Sequence, residues 1–265
     1  MKKKPILHLV AIIWFIAMCI SCAPIEILSL EGLVRISNHI FEGTVQQLNA
    51  SNLSIITETE DYAIVEVNTI IDAPPNFDAF LNREITVKMH KDSKLSDGQV
   101  SIFFTNDWLY GESMAVIETG RLADQGEDLK EKISGTRLQL THDAIKERLK
   151  RAIIVVNGRI VSVSDKQVDE LNRSEHDPEW VKADIAIEEV LKGNYSEETI
   201  TLNFPSSRDV MWVSVPKYKE GQEGIWLLYE NQEKTIEIKG YTALHPDDYY
   251  TLKDEELIKR LLSEL

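Results

Sequence analysis

The chain has 265 residues and a net charge of −15, with 28% charged and 43% hydrophobic residues. Such acidity disfavours phosphate backbones and anionic membrane surfaces, so nucleic acid is a poor partner. The two cysteines, Cys19 and Cys22, both lie near the start, which leaves the remainder with no disulfide and no thiolate metal site. That remainder is long enough to bury a core without covalent staples.

Taken in order, the first element is a leader. Lys2, Lys3 and Lys4 form a positive start, and an apolar run from Ile6 to Ile20 follows, broken only by His8. Ser21-Cys22-Ala23-Pro24 gives a small-residue exit. This is the order of a secretory signal over residues 1–22. The run is shorter than the roughly 20 apolar residues of a bilayer span, although a retained anchor stays an alternative. Removing the three lysines with the leader takes the net charge from −15 to −18.

Two similar stretches follow. Ile40-Phe-Glu-Gly-Thr-Val lies over Val155-Val-Asn-Gly-Arg-Ile, and Ala63-Ile-Val-Glu-Val over Ala183-Asp-Ile-Ala-Ile. Arg83-Glu-Ile-Thr-Val lies over Glu198-Thr-Ile-Thr-Leu. An acid-Gly-Gln turn at Asp97-Gly98-Gln99 and again at Glu220-Gly221-Gln222 precedes a further strand in each. Leu140-Thr-His-Asp-Ala-Ile-Lys-Glu-Arg-Leu pairs with Leu252-Lys-Asp-Glu-Glu-Leu-Ile-Lys-Arg-Leu. Blocks in the same order at similar spacing indicate a tandem duplication of a domain-sized unit, 27–151 and 152–265.

Periodicity assigns the elements within a unit. Thr199–Phe204 alternates strictly, with Ile200, Leu202 and Phe204 on one face. Gly224–Tyr229 is a continuous apolar run, expected to be buried on both faces. Lys234–Lys239 alternates again. About five short strands per unit read as a small barrel. Residues 124–137 are polar with two glycines and read as an exposed loop or linker. Ala144, Ile145, Leu149 and Ala152 then make a helical stripe. The last helix carries Leu257, Ile258, Leu261, Leu262 and Leu265, with Thr251 or Asp254 as its cap. The expected fold is mainly β with terminal helices: two tandem five-stranded barrels, each followed by an amphipathic helix.

Two resemblances extend this reading. Ser21-Cys22 resembles the exit of a bacterial lipoprotein signal, although Cys19 stands where an aliphatic residue is usual. The resemblance implies lipidation of Cys22 as the first mature residue, with ordinary signal cleavage as the alternative. The second unit runs from Asn157-Gly158 through Val190-Leu191-Lys192-Gly193 to Gly221-Gln222-Glu223-Gly224. It resembles the OB-like modules of secreted bacterial proteins related to the netrin and tissue-inhibitor-of-metalloproteinase barrel. That implies an OB-like fold for both units. The inhibitor branch needs an N-terminal Cys that neither unit has at its start, so the resemblance speaks to fold more than to function.

Chemistry-bearing patterns are sparse. The histidines His39, His90, His142, His176 and His245 include no helical metal pair, and neither a Gly-x-Ser-x-Gly elbow nor a P-loop occurs. The acidic loops at His176-Asp-Pro-Glu and His245-Pro-Asp-Asp read as solvated turns. No catalytic residue, metal site or cofactor is expected. Phe103, Phe104 and Trp226 read as core. The candidate contact loop is 206–217, with Met211, Trp212 and Tyr218, because it is a long excursion between strands. The sequence therefore leads to an exported, lipid-anchored binding protein whose partner is a protein or glycan of the cell envelope. An inhibitor or accessory of an extracellular protease is the second reading, and an envelope-acting enzyme the third.

Overall fold

A computed structural model describes residues 28–90, 94–111, 113–123, 126–164, 180–207, 209–230 and 240–265. The leader with Cys22, the acidic loop at His176 and the Lys234–Lys239 segment lie outside the described residues.

The first unit opens with α1 (Leu30–Ile36), which runs directly into β1 (His39–Leu48). Strands β2 (Tyr62–Asp72), β3 (Glu84–Lys88), β4 (Val100–Tyr110) and β5 (Met114–Ala123) follow. They form a closed barrel in the order β1-β2-β3-β5-β4, in which only the β3–β5 pair is parallel. The second unit contains β6 (Ile154–Val163), β7 (Trp180–Lys192), β8 (Thr199–Pro205), β9 (Glu223–Glu230), β10 (Tyr241–Thr242) and β11 (Tyr249–Tyr250). These make a six-stranded sheet, β10-β8-β7-β6-β9-β11, with an additional β10–β9 pairing. Like β5, β10 lies parallel to one neighbour, β8, and antiparallel to the other, β9.

Strand register makes the internal repeat physical. Gly43 and Gly158 occupy matching places in β1 and β6, each just after a register shift. A Cβ on Gly43 would stand 2.6 Å from Val65, and one on Gly158 only 2.2 Å from the Ala186 carbonyl oxygen. The strands can cross so closely only because no side chain intervenes. The acid-Gly-Gln turns match bond for bond. Gly98 and Gly221 have φ of 78° and 81°, a region that disfavours a side chain. The Gly98 amide donates to Val45 O and that of Gly221 to Ile160 O. Gln99 Oε1 accepts from the Ser96 amide and Gln222 Oε1 from the Lys219 amide, each at 3.2 Å. The repeated motif is thus a turn that fixes the start of the following strand.

Each unit has two cores because its central strands are apolar on both faces. Inside the first barrel lie Phe41, Val65, Val67, Phe77, Val87 and Phe103. On its outer face Ile40, Ile102 and Phe104 pack under α1 and under α2 (Glu127–Arg151) through Leu33, Val34, Leu129 and Ile133. The second unit repeats this. Val156, Ile185, Leu202, Trp226 and Leu228 lie inside. Val155, Ile225 and Leu227 pack under Ile145 and Leu149 of α2 and under Ile258 and Leu261 of α3 (Glu255–Ser263). Phe103, Phe104 and Trp226 are fully buried, as expected of core. At the start of the last helix, Thr251 Oγ1 donates to Asp254 Oδ2 at 2.8 Å and the Thr251 amide donates to the same oxygen.

One expectation is overturned. Residues 127–137 belong to a single 25-residue helix, α2, and not to a loop. The helix was hard to see because its apolar positions form two stripes. At 100° per residue, Leu129, Ile133 and Leu140 lie about 160° around the axis from Ile145 and Leu149. The first stripe faces the first unit and the second faces the other unit, so no single amphipathic face exists. The C-terminal turns of α2 thereby stand to β6 as α1 stands to β1, and the packing boundary between the units falls inside the helix.

Polar contacts lock α2 near its middle and at its C-terminal end. Arg137 Nε donates to Asp72 Oδ2 at 2.6 Å and its Nη2 to Ser37 O at 2.7 Å. Arg148 pairs with the buried carboxylate of Asp248, which also accepts from the His245 amide at 2.8 Å. Lys192 Nζ donates to three carbonyls at the C-terminus of α2, those of Leu149, Lys150 and Ala152. These are carbonyls without intrahelical partners, and a cation there also complements the helix dipole. Asp248 corrects the reading of the His245 loop as a solvated turn, since its carboxylate is 4% exposed.

Candidate contact loop

The loop between β8 and β9 is ordered by its own polar groups. The Asp209 amide donates to Ser207 Oγ at 3.1 Å, and the Met211 amide to Asp209 Oδ1 at 3.0 Å. The Trp212 amide bonds Asp209 O, and the Val215 amide bonds Trp212 O. Lys217 Nζ donates to Trp212 O at 3.0 Å, and burial pulls its ammonium below the usual lysine range. These short-range bonds satisfy the turn backbone and hold one tip conformation.

The tip is apolar and exposed. Val210, Met211 and Val213 are 88%, 66% and 65% exposed. Trp212 is half-buried and meets Trp180 edge-on, with ring centroids 6.0 Å apart. Trp180 is itself buried at the start of β7 and offers a fixed aromatic floor. Tyr218 belongs elsewhere. It is buried, packs against Phe204, Trp226 and Tyr249, and donates its hydroxyl to Ala243 O at 3.0 Å. Burial raises its pKa far above that of an exposed tyrosine, so the hydroxyl stays a donor at every physiological pH. Of the three loop residues read from sequence, Met211 and Trp212 lie at the tip and Tyr218 anchors the base from within the core.

Val210 and Val213 were not singled out from sequence, yet they are the more telling pair with Met211. The signal that could have found them is length. Ile85 and Ile200 are register equivalents, as are Gly98 and Gly221. Thirteen positions separate the first of each pair in unit one and twenty-one in unit two. The second unit therefore carries an eight-position extension, and the exposed apolar tip sits in it.

Two other places gather polar side chains. A shallow cleft of about 280 Å³ is lined by Ser37, Asn38, Asp72, Ala73, Pro74 and Arg137. Its single cation already faces Asp72 and Ser37 O, so the cleft is a structural seam between α2 and the barrel. Among the described residues, no group of three His, Cys, Asp or Glu side chains is placed to hold a metal ion. Glu189 and Glu255 converge on Lys259 at 2.7 and 2.8 Å, a surface ion-pair cluster in which one ammonium offsets one of the two negative charges. No protein-family model matches the chain, and no curated protein matches it in sequence.

Proposed function

We propose that this is an exported binding protein of the cell envelope without catalysis of its own, tethered by lipid on Cys22, which engages a protein or glycan through the 206–217 loop. The observation that carries the reading is the second unit's eight-position extension, whose tip exposes Val210, Met211 and Val213 over a prefolded turn. Three exposed apolar side chains within four positions of an ordered loop are not used in the protein's own core, and exposed apolar surface on loops serves contacts. Both units are read as OB-like Greek-key barrels, the second supported by the pairing of β10 with both β8 and β9. The duplication then supplies a scaffold, and only one copy carries the extended tip. The leader order supports export, and the Ser21-Cys22 exit supports the lipid.

The test is site-specific photo-crosslinking in native envelope. A photoreactive residue replaces Val213 in one variant and the exposed Glu131 of α2 in another. The expected result is a discrete adduct from position 213, absent from position 131 and lost when Val210 and Met211 are changed to serine. Identical adducts from both positions, or none from 213, would remove the contact loop from the proposal. Metabolic labelling with a fatty acid, compared with Cys22→Ser, tests the tether independently.

A further inference from the structure

The open end of the first barrel is closed by a short 3-10 turn, Pro75–Phe80, between β2 and β3. Its Phe77 is 1% exposed and plugs the interior against Phe41, at 5.7 Å between centroids, and against His39, stacked at 4.5 Å. His39 is the first residue of β1 and is 1% exposed. Its Nε2 lies 3.4 Å from Asp107 Oδ1, whereas Nδ1 is buried with no hydrogen-bond partner. This geometry suits one state of the ring: neutral, with the proton on Nε2 toward Asp107, a bare buried Nδ1, and Phe77 stacked on the ring face. A second proton would place a donor on Nδ1 with no acceptor in reach, and a buried unpaired donor is costly.

The duplicate unit supplies an internal comparison. His39 pairs with Thr105 four residues before Gly43, and Ile154 pairs with Leu228 four residues before Gly158. The second unit therefore keeps an aliphatic residue where the first has a buried imidazole. Packing alone does not require the histidine.

We propose that His39 is an acid-operated latch on the Pro75–Phe80 plug: neutral imidazole holds Phe77 in the barrel mouth, and protonation releases the turn so that Nδ1 reaches water. The groups that face the ring set the direction. Asp107 on β4 favours the charged form, but its carboxylate is shared with Tyr110 Oη and Asn38 Nδ2. Asp72 at the end of β2 also favours the charged form, but it is paired with Arg137 of α2. The turn contributes Phe77, and its own Asp78 lies on the exposed side. Desolvation outweighs both acids, so the pKa in the closed state falls below the ordinary 6.5. The closed state is therefore fully favoured above pH 6.5 and loses ground as pH falls below that value. With an open-state pKa near 6.5, the open fraction at pH 5 rises by up to about 30-fold.

Hydrogen exchange of the mature chain at pH 7.5 and 5.0, corrected for intrinsic rates, reads this directly. The reporting amides are those of Phe77, Leu81, Asn82 and Arg83, which bond Pro74 O, Asp78 O, Val67 O and Phe80 O. Their protection should fall by up to about 30-fold at pH 5 while that of the β6–β9 ladder holds. His39→Ile, the residue found in the duplicate, should abolish the difference. Asp107→Asn should enlarge it, because the closed state then loses an acid that tolerates the proton, and this second variant tests the latch should His39→Ile fail to fold. Equal pH response in wild type and His39→Ile, a smaller response in Asp107→Asn, or global loss of protection in place of local loss would overturn the proposal.

Discussion

Replacing Arg148 with methionine tests whether α2 is held to the second unit by its buried ion pair. Arg148 is 16% exposed and Asp248 4% exposed, and Arg148 Nε donates to Asp248 Oδ1 at 3.1 Å. Methionine keeps most of the stem packing and removes the charge, leaving the Asp248 carboxylate buried without its cation, held by neutral donors such as the His245 amide. Orphaning one member of a buried pair costs about 3–5 kcal/mol, and the partial exposure of Arg148 places the expectation near 3. For a chain of this size that lowers the melting temperature by about 6–12 °C. Asp248→Asn alone retains an acceptor for His245 and should cost less, about 2 kcal/mol. The double variant should be milder than the sum by at least about 1 kcal/mol, since neither orphan remains. Tryptophan fluorescence during urea unfolding, in a chain without residues 1–22 (which carry Trp14) and with Trp108→Phe, reports the second unit, where Trp180, Trp212 and Trp226 lie. A cost below about 1 kcal/mol for Arg148→Met, or strict additivity in the cycle, would refute the view that this pair anchors the shared helix.

Gly158→Ala forces a Cβ to within 2.2 Å of a carbonyl oxygen, so the strands must part; a loss of about 2 kcal/mol or more is expected by denaturant titration. Gly135→Ala is the opposite case, because nothing lies within 4 Å of the added carbon on the exposed middle of α2. It should stabilise by about 0.5–1 kcal/mol, and any destabilisation would mean that the helix is bent there for a reason. Val210→Ser with Met211→Ser should change stability by less than about 0.5 kcal/mol while abolishing the crosslink from position 213, separating contact from fold.

The local pattern of residues by itself determined the paired sequence blocks, the β-rich class, the strands and the terminal helix. Alternation along Thr199–Phe204 and the doubly apolar Ile225–Leu228 are properties of neighbouring positions, so they survive being read in one dimension. The acid-Gly-Gln repeat was likewise visible, because a positive φ and a side chain closing its own turn are local needs. Export and the contact loop were legible as expectations from order and length.

Only the tertiary structure decided the rest, and in each case a long-range partner was the reason. Helix α2 looked like a linker because its two apolar stripes point to opposite sides, and only the presence of a unit on each side gives them a purpose. Asp248 looked solvated until Arg148, a hundred positions earlier, was brought against it. Tyr218 looked like loop until the strands closed over it. His39 was legible only as one of several histidines without a metal pair, because its proposed role depends on tertiary surroundings: an acid on β4 at Nε2, no partner at Nδ1, and Phe77 stacked on the ring.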